Sequence, residues 1–223
     1  YNPDFSILIK ADDVVTGNLP KILPVINGES ELRALPSKND VARELIHASG
    51  VFIPVLSSLI GLAPVVLMTC TIVTLYVLSE LFRMSGKNLP FISTVTRYAA
   101  LHTELYEFAA APIYFAVGVL LALLLFPPPI SNATIAIFAL GDSTASIFGR
   151  LVSKKPWPFN KAKTIAGSLT GFLFALLAGS FFILPLKALV GAAAAMIAEC
   201  LPSPVNDNIL IPLCAGLTLT LIV

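Results

Sequence analysis

Of the 223 residues, 57% are hydrophobic and only 12% are charged, and the formal net charge is +1. With a mean hydropathy of +0.88, this balance excludes an ordinary soluble domain and places the chain among membrane proteins. No basic run is long enough for a nucleic-acid partner, so none is expected. Cys70, Cys200 and Cys214 lie in or beside apolar segments, which excludes a disulfide framework, and no Cys/His spacing suits zinc.

The chain starts at Tyr1 without a signal-peptide pattern and reads as part of a longer product. Residues 1–40 form a soluble lead-in with no run long enough to span a bilayer. Within it, Tyr1-Asn2-Pro3-Asp4, Ala11-Asp12-Asp13-Val14 and Leu19-Pro20-Lys21-Ile22-Leu23-Pro24 resemble the last strand and helix of haloacid-dehalogenase-type phosphatases of the phosphoserine phosphatase kind. That resemblance covers 1–27 and implies a phosphatase remnant, with Gly28 to Asp40 as linker. The catalytic aspartates of that family lie upstream and are absent.

From Val41 to Val223 the apolar segments predict an all-α, polytopic membrane domain of about seven transmembrane helices. Spans one and two cover 45–61 and 63–82, parted by Gly61-Leu62-Ala63-Pro64. A polar loop over 83–108 ends in a candidate amphipathic surface helix. Span three covers 109–126 and is closed by Pro127-Pro128-Pro129. The remaining spans are expected at 133–151, 165–184, 186–201 and 209–223. With seven spans, thirteen of the fourteen Lys and Arg residues fall on one side, and only Lys187 opposes them. The positive-inside rule makes that side cytosolic.

Span four carries Asp142, and a charge there costs about 2.5–3.5 kcal/mol on insertion scales, which marks a functional candidate. On a helix, Asp142, Ser146 and Arg150 share one face, and Gly141, Ala145 and Gly149 form a small-residue stripe beside it. Four polar clusters fall on the cytosolic side: Arg43-Glu44-Leu45-Ile46-His47; Asp142 with Arg150; Lys163, Thr164, Gly167 and Ser168; and Glu199 with Asp207 and Asn208. Thr164 is a candidate N-cap of span five. Its free N–H groups near Gly167 and the charge of Lys163 suit a phosphate, and Gly167 lets it approach the backbone. Asp142 and Asp207 are hard oxygen ligands suited to Mg2+ on phosphate oxygens.

Each signal has a plainer alternative. Asp142 paired with Arg150 would merely lock helices. Lys163 and Lys154-Lys155 would be orientation signals, Glu199 a snorkelling helix end and Asp207 a cap of span seven. His47 is open between packing and substrate contact. His102, Glu104 and Glu107 read as a solvated face, and Trp157 as an interfacial anchor.

Gly141-Asp142-x-x-Ala145-x-x-x-Gly149-Arg150, Lys163-Thr164-x-x-Gly167-Ser168, and Glu199 with Asp207-Asn208 resemble the motifs of the CTP-dependent lipid kinase family, which includes dolichol, phytol and CTP-using diacylglycerol kinases. The resemblance spans 41–223. It implies transfer of the terminal phosphate of CTP to a long-chain lipid alcohol, polyprenol- or dolichol-like favoured, with Mg2+ and an active site on the cytosolic side. In these terms Asp142, Lys163 and Asp207 are catalytic and Asp142 and Asp207 hold metal. Arg43, His47, Arg150, Thr164, Gly167, Ser168, Glu199 and Asn208 hold the nucleotide. Where many members carry Arg-Lys, this chain has Arg43-Glu44. Two alternatives are a phosphatidate cytidylyltransferase-like CDP-lipid synthase, told apart by release of pyrophosphate, and a secondary transporter with Asp142 and Glu199 as coupling carboxylates.

Overall fold

The computed structural model describes residues 36–87, 108–152 and 155–222. The phosphatase-like stretch, the amphipathic surface helix, His102, Glu104, Glu107 and Lys154 lie outside the described residues. Every regular element among those described is a helix.

Helix α1 (Lys38–Ala48) starts on a capping box. The Ser37 hydroxyl accepts the Asp40 N–H at 3.1 Å, while the Asp40 carboxylate accepts the Ser37 N–H at 2.9 Å. A 3-10 turn (Ser49–Val51) carries it into α2 (Phe52–Ile60). Gly61, at φ +89°, reverses the chain into α3 (Leu62–Met84), at the predicted turn. Helix α4 (Ala111–Leu125) has Pro112 in its first turn and stops before the three prolines. There follow α5 (Ile130–Leu151), α6 (Ile165–Ser180), α7 (Pro185–Cys200) and α8 (Asp207–Ile222).

Helix α5 is the axis. It packs against α1, α2, α4, α6, α7 and α8, and its turn from Ala133 to Ala139 is wholly buried. Phe138, Ile135 and Ile137 meet Leu123 of α4 and Ile211 and Leu219 of α8 in the core. The outer faces are apolar too: Leu67 and Ile72 on α3, Leu169 and Leu173 on α6 and Leu221 on α8 are exposed.

Two stretches are long and apolar enough to cross a membrane by length and composition: Lys38–Ile60, at mean hydropathy 1.2, and Leu62–Met84, at 2.0. Only 11% of the apolar window of α3 is buried, so α3 is not the core helix of the bundle. Ala111–Leu125, Ile165–Ser180 and Asp207–Ile222 are apolar but shorter.

Near the end of α3, Glu80 is buried and pairs with Arg83, and its carboxylate also accepts the Ala109 N–H at 2.8 Å. An acid at this position, three residues before an arginine, is a legible pairing signal that the sequence reading passes over.

Candidate active site

The site is built on the contact between α5 and α6. The stripe of Gly141, Ala145 and Gly149 faces Gly167, Gly171 and Ala175, as small residues at a four-residue spacing allow. A Cβ on Gly167 would lie 2.6 Å from the Ala145 carbonyl oxygen, and one on Gly171 would lie 2.7 Å from that of Gly141. Gly171→Ala is therefore expected to cost about 1–3 kcal/mol by forcing the helices apart. Thermal unfolding of the purified protein measures this, and an unchanged midpoint would refute the close packing.

Thr164 is the N-cap of α6. Its hydroxyl accepts the Gly167 N–H at 3.1 Å and donates to the Gly149 carbonyl at 3.3 Å. The expected role of Gly167 changes in consequence. Its N–H is already taken and the place of a Cβ is filled by the facing helix, so close helix packing accounts for the glycine.

The loop ahead of α6 is folded rather than merely basic. Trp157 N–H donates to the Lys163 carbonyl at 3.0 Å, Pro156 and Thr164 form an isolated antiparallel bridge, and the Asn160 amide donates to the Cys200 carbonyl at 3.1 Å. These bonds aim Lys163 between two carboxylates, at 2.8 Å from Glu199 and 2.7 Å from Asp207. Burial, the largest single influence, works to lower the pKa of Lys163. Glu199, Asp142 and Asp207 together outweigh it, so the net shift is upward and the ammonium stays charged. Glu199, 3% exposed, also accepts from Ser168 at 3.1 Å, and the Trp157 indole N–H donates to the same Ser168 hydroxyl at 3.1 Å. Glu199 is thus a buried hub rather than a snorkelling end, and Trp157 is tied into the site.

The opposite wall comes from α1 and α5. Arg150 does not pair with Asp142: its guanidinium meets Asp40 of the α1 capping box at 2.9 Å. Glu44 accepts from Arg43 at 3.2 Å and from Ser146 at 2.8 Å, both through Oε1. His47 is buried and stacks on Phe115 with ring centroids 4.5 Å apart.

These walls enclose a cavity of about 360 Å3, within the ~300–1,000 Å3 of small-molecule sites. All the residues expected to carry function line it: Arg43 and His47 from α1, Asp142 and Arg150 from α5, Lys163 and Thr164 from the loop, Gly167 and Ser168 from α6, Glu199 from α7, and Asp207 and Asn208 from α8. Glu44, from the first polar cluster, and Ser146, on the same helix face as Asp142, line it as well. Ligand atoms of Glu44, His47 and Asp142 lie within 4.8 Å of one another, whereas Asp207 is engaged by Lys163. The donor set fits a divalent cation. Two carboxylates and an imidazole converge, and Glu44 Oε2 and His47 Nδ1 are buried without a hydrogen-bond partner.

Among the described residues, fold and site together define a helical bundle with a charged cavity lined by clusters remote in sequence. Proteins of similar sequence narrow this class. Over 129 residues the chain is 30% identical to a Glycine max protein named probable phytol kinase 2, chloroplastic, covering 49% of this chain and 44% of that protein. A probable phytol kinase, chloroplastic, of Triticum aestivum is 32% identical over 126 residues (48% of this chain and 42% of the relative). Farnesol kinase, chloroplastic, of Arabidopsis thaliana is 28% identical over 134 residues (52% and 44%). The chain thus matches less than half the length of these relatives. No protein-family profile matches it, and no solved structure does.

Proposed function

We propose that this chain is the membrane-embedded kinase domain of an enzyme that transfers the terminal phosphate of a nucleoside triphosphate, CTP in the family its motifs resemble, to a prenyl-type lipid alcohol. The observation that carries the reading is the convergence of four clusters, far apart in sequence, on one charged cavity. The names of the similar proteins, phytol kinase and farnesol kinase, support a prenyl alcohol as acceptor. Polyprenols and dolichol are longer members of the same chemical class.

The exposed apolar faces of α3, α6 and α8 support a polytopic protein of about seven spans, in which the bilayer thins locally around the shorter helices. The cavity then opens on the face bearing the basic loops, the cytosolic one by charge placement. An alcohol dissolved in the bilayer reaches it sideways, between helices.

Arg43, Arg150 and Lys163 supply positive charge for the phosphates, and the carboxylates beside each hold these side chains in place. Thr164 and Ser168 line the same wall. Asn208 Oδ1, buried with no partner, is an acceptor open to the nucleotide. Asp142 and Asp207 are the residues that would hold Mg2+, and the ion would supply positive charge to offset that of the phosphates. The alcohol oxygen attacks the terminal phosphorus, the nucleoside diphosphate leaves, and a cavity carboxylate takes the hydroxyl proton.

The test is to give purified full-length protein γ-labelled CTP or ATP with phytol, farnesol, geranylgeraniol, polyprenol, dolichol or diacylglycerol. Label is expected in a prenyl alcohol, with release of the nucleoside diphosphate. Absence of label from every lipid would overturn the reading, and pyrophosphate release would replace it with cytidylyl transfer.

A further inference from the structure

The second position of Arg43-Glu44 departs from the lipid-kinase pattern, and the fold gives that departure a place. Glu44 and His47 are three residues apart on α1 and point to the same wall of the cavity as Asp142 of α5. Ligand atoms of the three lie within 4.8 Å of one another. Glu44 is 4% exposed and His47 is 7% exposed. Burial of this depth requires partners, and Glu44 Oε2 and His47 Nδ1 have none.

The carboxylate is also pre-oriented. Ser146 and Arg43 both donate to Glu44 Oε1, which leaves Oε2 as the uncommitted oxygen. Phe115 fixes the plane of the His47 ring by stacking, and Phe138 backs Phe115 in turn. Charge bookkeeping points the same way. Arg43, Arg150 and Lys163 pair with Glu44, Asp40, Glu199 and Asp207, and no Lys or Arg among the described residues forms an ion pair with Asp142. Asp142, within ligand range of Glu44, is therefore a cavity carboxylate that no Lys or Arg among the described residues contacts directly.

We propose that Glu44, His47 and Asp142 form a second divalent-cation position, selective for a first-row transition ion such as Mn2+ over Mg2+. The selectivity comes from the imidazole, because a nitrogen donor favours transition ions while an all-oxygen set suits Mg2+. The position ties α1 to α5 across the cavity. It shares Asp142 with the kinase reading and otherwise stands apart from it, since it concerns binding without nucleotide.

The experiment uses the full chain, purified in detergent, stripped with chelator and titrated with Mn2+ alone. Electron paramagnetic resonance counts free and bound ion, and pulsed spin-echo modulation detects a nitrogen ligand. One bound Mn2+ with nitrogen modulation is expected in the unmodified chain and in Asp207→Asn. In His47→Gln the modulation is lost, and in both His47→Gln and Glu44→Gln the affinity falls by at least about tenfold. Mg2+ is expected to displace Mn2+ only in large excess.

No bound Mn2+, bound Mn2+ without nitrogen modulation, or binding lost in Asp207→Asn and kept in His47→Gln would each overturn the proposal. The unmodified chain decides the central point, so a variant that fails to fold cannot obscure it. Nitrogen-coupled Mn2+ in a protein that labels no lipid would keep this site and remove the kinase reading. Lipid labelling by a protein whose bound Mn2+ shows no nitrogen would do the reverse.

Discussion

Asp142→Asn is expected to lower lipid phosphorylation by at least about 100-fold in kcat while leaving the protein folded. Asparagine keeps the shape of the side chain and removes its charge, so the change tests chemistry rather than packing. Asp142 comes from the central helix, lies within ligand range of Glu44 and His47, and adds to the field on Lys163. No ion pair with Arg150 explains its presence, because Arg150 is committed to Asp40. A variant with full activity and unchanged thermal stability would remove Asp142 from any catalytic role.

The second large effect is expected at Lys163. Lys163→Met takes the cation away from Glu199, whose side chain is 4% exposed, and leaves a buried carboxylate with only Ser168 as donor. Breaking such a pair from one side costs about 3–5 kcal/mol, since the remaining charge is left without compensation. Asp207, with its side chain 36% exposed, contributes little of this because water screens it. Unfolding in detergent should therefore show Lys163→Met strongly destabilised. Adding Glu199→Gln to that variant should recover most of the loss, since the orphaned charge goes with it. If the two substitutions are simply additive, the pair is not a coupled unit.

Much of this arrangement was legible in the chain because its signals are local. Gly61, the proline triplet after Phe126 and the cap at Thr164 end or start helices by backbone chemistry alone, and helices stop and start there. The small-residue stripe in span four announced a close neighbour, and α6 is that neighbour. The predicted start of the first apolar segment at 45 is late, because the first turns of α1 are charged and hydropathy cannot see them. The helix begins at Lys38, on Ser37.

What was hidden depends on pairs remote in sequence. The link of Arg150 to Asp40 and that of Ser146 to Glu44 join α5 to α1 across more than a hundred residues, and no spacing rule connects them. Glu44 stood out only as an unexpected residue, and its meaning comes from the distance to Asp142. Gly167 shows the opposite case. Its position at a helix start suggested anion contact, and three-dimensional packing supplies a different reason for it.

The junction of α5 and α6 has a further consequence. Glycine and alanine have no side-chain torsions to freeze, so the two helices dock without the entropy loss that leucines or methionines would incur there. Stiffness is obtained where rotors would otherwise compete with order. The ammonium of Lys163 springs from the loop that joins them, whose backbone bonds fix where the side chain starts, while Glu199 and Asp207 hold its far end.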